Sequence, residues 1–396
     1  ASVGVLRGRV LDASGAPLTG VTVRAKELPR AGFTLSRADG AFDLAVPGGA
    51  PLRLSFEKAG LLPAERLVRA RRQDFTHLED VVLVALDPAG TSISFSAASP
   101  AQLARGSVVT DGDGTRRATL VFAPGTTAEL VAEGDARQPL ASATVRATEY
   151  TVGPLGAQAM PAPLPAYTAY TYAVELSADE ALAAGARSVA FSKPVAVYLE
   201  NFLALPVGTV VPSGAFDRTL GRWLPSDNGR VVKILAVSGG LASLDLTGHG
   251  TAATASELAA LGLPDTERAQ LAALYPPGQS LWRVPVSHFT PFDFNLPGAA
   301  PAPPELPKTA PAQGGDRDKK DHPCPADGSV LECENQILGE DVALEGVPFA
   351  LHYWSDRVPG RKIARRLWVE VTGSSLPPEG LTGAQVELEI AGRHFE

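Results

Sequence analysis

Residues 4–27 read GVLRGRVLDASGAPLTGVTVRAKE, and this stretch decides the fold class. Val5, Arg7 and Arg9 alternate with Leu6, Gly8 and Val10. A period of two is the spacing of a strand that buries one face. Asp12, Ser14, Gly15 and Pro17 follow as turn chemistry. Asp and Ser cap such a turn, Gly accepts positive φ, and Pro fixes its own φ. Val21, Val23 and Ala25 then share one face of a second strand. Further on, Ala38-Asp39-Gly40 turns the chain before a run over residues 41–46, and Leu52, Leu54 and Phe56 alternate again. Ladders this short and this often punctuated predict an antiparallel β-sandwich over residues 1–88.

The rest of the chain repeats the pattern. Ile93 and Phe95 alternate with serines, and Ala118, Leu120 and Phe122 run into Pro124-Gly125-Thr126. Residues 152–166 are Pro-dense and read as an irregular loop, because Pro cannot donate to a ladder. Asn228-Gly229 gives hairpin chemistry, and residues 231–237 form an apolar strand. One segment alone carries helical signals, residues 265–274, with Pro264 at its start and Pro276-Pro277-Gly278 stopping it. The 39 Gly and 34 Pro among 396 residues likewise favour strands and turns over long helices. The expected fold class is mainly β: tandem antiparallel β-sandwich modules with one short helix and a Pro-rich linker. The expected divisions are 1–88, 89–205, 206–296, a linker at 297–323, and a final β piece at 324–396. The linker is rich in Pro and Ala and then in charge, with nothing apolar to offset the entropy of ordering it.

Composition excludes several functions. A net charge of -8 offers no basic face for nucleic acid. No apolar run approaches the roughly 18–20 residues of a membrane helix. The start at Ala1, without Met or a signal peptide, fits removal of an N-terminal piece. The six His are scattered, and no Gly-x-Ser-x-Gly elbow, phosphate loop or His-Glu-x-x-His occurs. No enzyme activity and no cofactor are expected. Asp12 and Asp39 read as turn formers rather than calcium ligands, since no carboxylates gather round them. Asp111-Gly112-Asp113-Gly114 also reads as a hairpin turn: Arg116 and Arg117 stand where a calcium loop needs acid. Cys324 and Cys333 are close enough for one short-loop disulfide. With His322 they fall short of a four-ligand zinc site.

Three stretches resemble known families. Gly8-x-Val10-x-Asp12, then Gly15-x-Pro17-Leu18-x-Gly20-Val21-x-Val23, then Ala38-Asp39-Gly40-x-Phe42 resemble the carboxypeptidase regulatory-like, prealbumin-type sandwich. Leu61 departs from it where an aromatic is usual after Gly60. This resemblance implies a non-catalytic extracellular spacer or display module. Tyr172, Val174, Leu176 and Ser177, with Phe191-Ser192-Lys193-Pro194-Val195-x-Val197, resemble the closing strands of the ZU-type sandwich of ankyrins and netrin receptors. Residues 332–360 read ECENQILGEDVALEGVPFALHYWSDRVPG. Asn335, Gln336, Gly339, Glu340, Gly346, Pro348, Phe349, Leu351, Tyr353, Ser355, Asp356, Arg357, Pro359 and Gly360 resemble, in order, the lead-in to the shell of bacterial RHS/YD-repeat proteins.

That last resemblance implies a structural and interaction region at the cell surface or outside the cell. It would lead into, and cap or anchor, a β shell that continues beyond Glu396 and serves toxin delivery or adhesion. Two rivals belong to other classes. Some ZU-type relatives cut themselves at His-Phe-Ser, and here His288 would be the base and Thr290 the nucleophile. Thr for Ser, and Pro291 after it, depart from that site. The plain reading makes Trp282, Phe289, Phe292 and Phe294 core residues that close the module, with Thr290 outward. An adhesin that binds a protein or a surface glycan through Trp223, Trp282 or Trp354 is the other rival, although Trp more often fills cores.

Overall fold

The computed structural model describes residues 3–164 and 170–294, and four short strands at 339–343, 350–354, 388–390 and 393–395. Residues 1–299 form one compact unit and residues 300–396 a second.

The first module contains β1 (Val3–Asp12), β2 (Thr22–Ala25), β3 (Phe33–Leu35), β4 (Ala41–Pro47), β5 (Pro51–Glu57), β6 (Ala64–Arg69), β7 (Phe75–His77) and β8 (Val81–Leu83). One sheet runs β3-β2-β5-β6 and the other runs β4-β1-β7, with β8 also on β1. The alternation in β1 has its expected effect, since Leu6 and Val10 have no exposed surface. They pack with Val23, Phe42, Leu54 and Phe56 in one apolar core. Gly40 sits at φ 76°, and a Cβ there would lie 2.5 Å from the Val10 carbonyl oxygen, so the turn requires glycine. Asp12 accepts hydrogen bonds from the Ser14 and Ala16 amides, at 2.8 and 3.0 Å, as a turn former does. The module departs from the antiparallel expectation in one respect. β1 pairs in parallel with both β7 and β8. Parallel pairing needs a long crossover, and the intervening second sheet provides it.

The remaining strands of this unit are β9 (Thr91–Ser94), β10 (Gln102–Arg105), β11 (Val109–Asp111), β12 (Gly114–Arg116), β13 (Thr119–Phe122), β14 (Ala128–Val131), β15 (Arg137–Leu140), β16 (Ser142–Glu149), β17 (Ala173–Ala178), β18 (Ser188–Glu200), β19 (Val210–Val211), β20 (Gly214–Asp217), β21 (Arg222–Pro225), β22 (Gly229–Ser238), β23 (Leu241–Asp245), β24 (Ser280–Phe289) and β25 (Pro291–Asp293). One sheet follows β10-β13-β18-β24-β22-β19, and a second follows β21-β20-β25-β17-β16-β9. Strands from both sides of residue 205 share both sheets, so the expected boundary at 205/206 does not divide the hydrogen bonding. The reason is that β18 pairs with β24 along most of its length. The alternation of β18 then feeds two layers. Val195, Val197 and Leu199 enter the core between the sheets, while Ala196 and Tyr198 face a second apolar layer.

Helices cover that second layer. The expected helix at Asp265–Leu274 is present, with Leu271 fully buried. Three further short α-helices lie among the described residues, at Gly156–Ala159, Asp179–Ala183 and Ala255–Ala260, besides one 3-10 turn at Pro29–Ala31. In chain order the four α-helices are α1, α2, α3 (Ala255–Ala260) and α4 (Asp265–Leu274). The start of α3 is fixed by a reciprocal capping box between Thr254 and Glu257. Among the described residues no helix is long and apolar enough to cross a membrane.

In the second unit, Gly339–Ala343 and Ala350–Trp354 form an antiparallel pair with Gly339 opposite Trp354. Leu388–Ile390 pairs with Arg393–Phe395. The remaining residues of the 335–360 stretch, the linker, Cys324 and Cys333 lie outside the described residues.

Candidate functional site

Pro291 determines the local geometry at the sequence-predicted site. It has no N–H to give a ladder. Just before it, at Thr290, the chain leaves β24 in one sheet and enters β25 in the other. The aromatic residues on either side bind the two sheets together. Phe289 is 3% exposed, and its ring lies 4.6 Å from that of Phe191. Phe292 and Phe294 are fully buried, with Phe294 stacked on Tyr172 at 5.8 Å. Trp282 is fully buried too, and its indole N–H donates to Asn201 Oδ1 at 2.9 Å. It therefore has no surface for a glycan. Trp223 is half-buried, with its indole N–H donating to the Pro163 carbonyl at 3.1 Å.

His288 and Thr290 line one pocket of about 190 Å³ with Arg187, Asp217, Arg218 and Ser226. Burial pulls the His288 imidazole below its ordinary pKa, which favours the neutral ring. Its Nδ1 lies 3.3 Å from Ser287 Oγ. Thr290 is buried at 7% exposure, not outward as expected, and its hydroxyl donates to the Pro291 carbonyl at 3.4 Å. A base must lie within hydrogen-bond reach of the hydroxyl it activates. Among the described residues no hydrogen bond joins His288 to Thr290.

Sequence reasoning missed three buried ionic clusters. In the first, Arg116 is 1% exposed and forks onto both carboxylate oxygens of Asp111 at 2.8 Å. The same guanidinium also donates to Glu149, 2.8 Å from its Nε, and sits 4.6 Å over the Phe202 ring. It holds the Asp111 carboxyl well below the usual range. Burial pushes the Glu149 carboxyl up, against the pull of Arg116. The Asp-Gly-Asp-Gly turn thus has an arginine where a calcium loop would have its ion. In the second cluster, Glu267 of α4 receives Arg283 Nε at 2.7 Å and the Tyr198 hydroxyl at 2.5 Å. The third joins Glu175 to the Tyr150 hydroxyl at 2.6 Å and to Arg218 at 2.7 Å. Among the described residues no group of three or more His, Cys, Asp or Glu is placed to hold a metal ion.

The third cluster lies beside the seat of the first module. Lys26 donates to Glu65 at 2.6 Å and to the Arg218 carbonyl at 3.1 Å. Arg66 donates to the carbonyls of Gln158 and Met160, at 2.5 and 2.9 Å, and makes no ion pair among the described residues. Burial pulls its guanidinium down to about 10. The Glu65 amide donates to the Pro161 carbonyl at 2.7 Å. Leu62 packs with Tyr150, Met160 and Ala173 beneath these bonds. The Pro-dense loop is therefore a socket for the first module, because its carbonyls, free of ladder pairing, face β6.

Residues 1–83 match the family described as the teneurin TTR-like domain. Relatives agree over the same part of the chain. Teneurin-3 of Danio rerio is 48% identical over 66 residues, which is 17% of this chain and 2% of that protein. Teneurin-1 of Homo sapiens is 38% identical over 92 residues, 23% of this chain and 3% of that protein. The chain thus spans about 2–3% of the length of the curated relatives it matches. TTR-like denotes the prealbumin-type sandwich, so the sandwich class expected for the first module is met. Over these residues the similarity is to teneurins, not to a bacterial RHS/YD protein. Among solved structures, a streptococcal ancillary pilin aligns over 36% of this chain and 59% of its own, at 14% identity and a TM-score of 0.18. That score is too low to carry an argument.

Proposed function

We propose that this chain is a non-catalytic structural and interaction region of a secreted or cell-surface protein. In this reading the TTR-like module is held on a two-sheet body that presents it to a partner protein. The observation that carries the reading is the teneurin match over residues 1–83. The ionic and apolar seat at Arg66 and Leu62 supports it, because a seated module meets a partner in one fixed orientation. The order of motif residues in the sequence of 335–360 and the β pair of Gly339–Ala343 with Ala350–Trp354 support a lead-in to a larger β assembly of RHS/YD type. Beads coated with the full chain should attach to a panel of bacterial and animal cells, and soluble chain should compete. The attachment should survive His288→Gln. Failure to attach anywhere, or substrate turnover abolished by a single His or Asp replacement, would overturn the reading.

A further inference from the structure

Strand β18 is interrupted where it passes β24. Ala190 lies opposite His288 and Val195 opposite Val286, so residues 191–194 face Ser287 alone. A bulge this large re-aims its side chains. Phe191 turns into the aromatic core, 5.9 Å from Phe122. Lys193 and Pro194 instead become one wall of a cleft of about 320 Å³, and the turn between α3 and α4 at Leu261, Gly262 and Pro264 is the other wall. The cleft stays open because the residues that line it from β18 and the neighbouring loops include Ala101, Ala123 and Ala196. Glu267 and Arg283 reach it as a mutually neutralised pair. Lys193 is exposed, donates to the Pro124 carbonyl at 2.6 Å, and forms no ion pair among the described residues. The cleft is therefore largely apolar with one uncompensated cation at its mouth.

We propose that this cleft binds a small amphipathic carboxylate, its apolar tail between Ala196 and the α3–α4 turn and its carboxylate on Lys193. The volume lies at the lower end of small-molecule sites, roughly 300–1,000 Å³, and suits a chain of about eight carbons. Isothermal titration of the full chain with sodium octanoate at low salt tests the proposal. One equivalent should bind with a Kd of about 0.1–1 mM. Lys193→Ala should weaken octanoate roughly three- to fivefold, the scale of an exposed ion pair, and leave octan-1-ol binding unchanged. Ala101→Phe, on the half-buried rim, and Thr266→Phe, on the exposed opposite rim, should each remove binding while the thermal transition persists. An absence of saturable heat in the unaltered chain would overturn the proposal. So would octanoate binding that neither rim variant changes.

Discussion

The first module and the two-sheet body place charge in opposite ways. In the first module the core is apolar, and most ion pairs lie in solvent: Arg7 and Asp43 keep 44% and 31% of their side chains exposed. In the body, Arg116, Glu149, Glu267 and Arg283 are each less than a tenth exposed. The difference follows from how each part is joined. Strands β1 to β8 all come from residues 3–83, and the apolar alternation of their inward faces goes far to select their pairing. The body must bring together segments far apart in sequence. A buried pair costs desolvation, and it recovers that cost only when its partner arrives in the right geometry. Arg283 on β24 and Glu267 on α4 meet only if the helix lies over β18 and β24 in this register. We read the buried pairs as devices that select one arrangement of distant strands, and the surface pairs as nearly neutral.

The largest expected effect comes from breaking a buried pair. Arg283→Ala leaves the Glu267 carboxylate buried without its cation, and should cost about 3–5 kcal/mol in denaturant unfolding. The double variant Arg283→Met with Glu267→Leu should recover much of that loss. A single variant as stable as the native chain would mean that the buried pair does not hold this arrangement of strands.

A smaller effect is expected at His288. Its folded pKa is depressed by burial, so below the ordinary histidine pKa of about 6.5 the unfolded chain takes up more protons than the folded one. Stability should therefore fall as pH drops from about 6.5 toward the depressed value. His288→Gln should remove that portion of the acid slope. An unchanged slope would mean that the ring is not desolvated at the seam.

The smallest effect is expected on the first module's surface. Arg7→Ala should change stability by about 1 kcal/mol or less, and added salt should shrink the difference further. A loss as large as that of Arg283→Ala would remove the distinction between the two regions.

How much was legible depends on the range of the interaction. The strands around Leu6, Val10, Val23 and Phe56 were readable because a period of two is written in consecutive residues. The helix at Asp265–Leu274 was readable from its helix-forming residues and Pro boundaries, and the turns at Asp12 and Gly40 from their residue types, all of it again local in the sequence. The buried role of Glu267 was not, because in its own helix it is one more polar residue. Arg283, between Trp282 and Val284, gave no sign of its partner. Thr290 read as outward because it alternates with Phe289. Its burial comes from the change of sheet at Pro291, which local periodicity cannot describe.

By itself, then, the sequence determined the β class, the faces of individual strands and the chemistry of the turns. These depend on residues a few positions apart, whose geometry the backbone imposes directly. Only the tertiary structure decided that β18 pairs with β24 across the expected boundary, that the Pro-dense loop is a socket for β6, and that a bulge turns Lys193 toward a cleft. Each of these rests on contacts between segments distant in sequence, where a strand's pattern specifies a buried face but not the partner that will cover it.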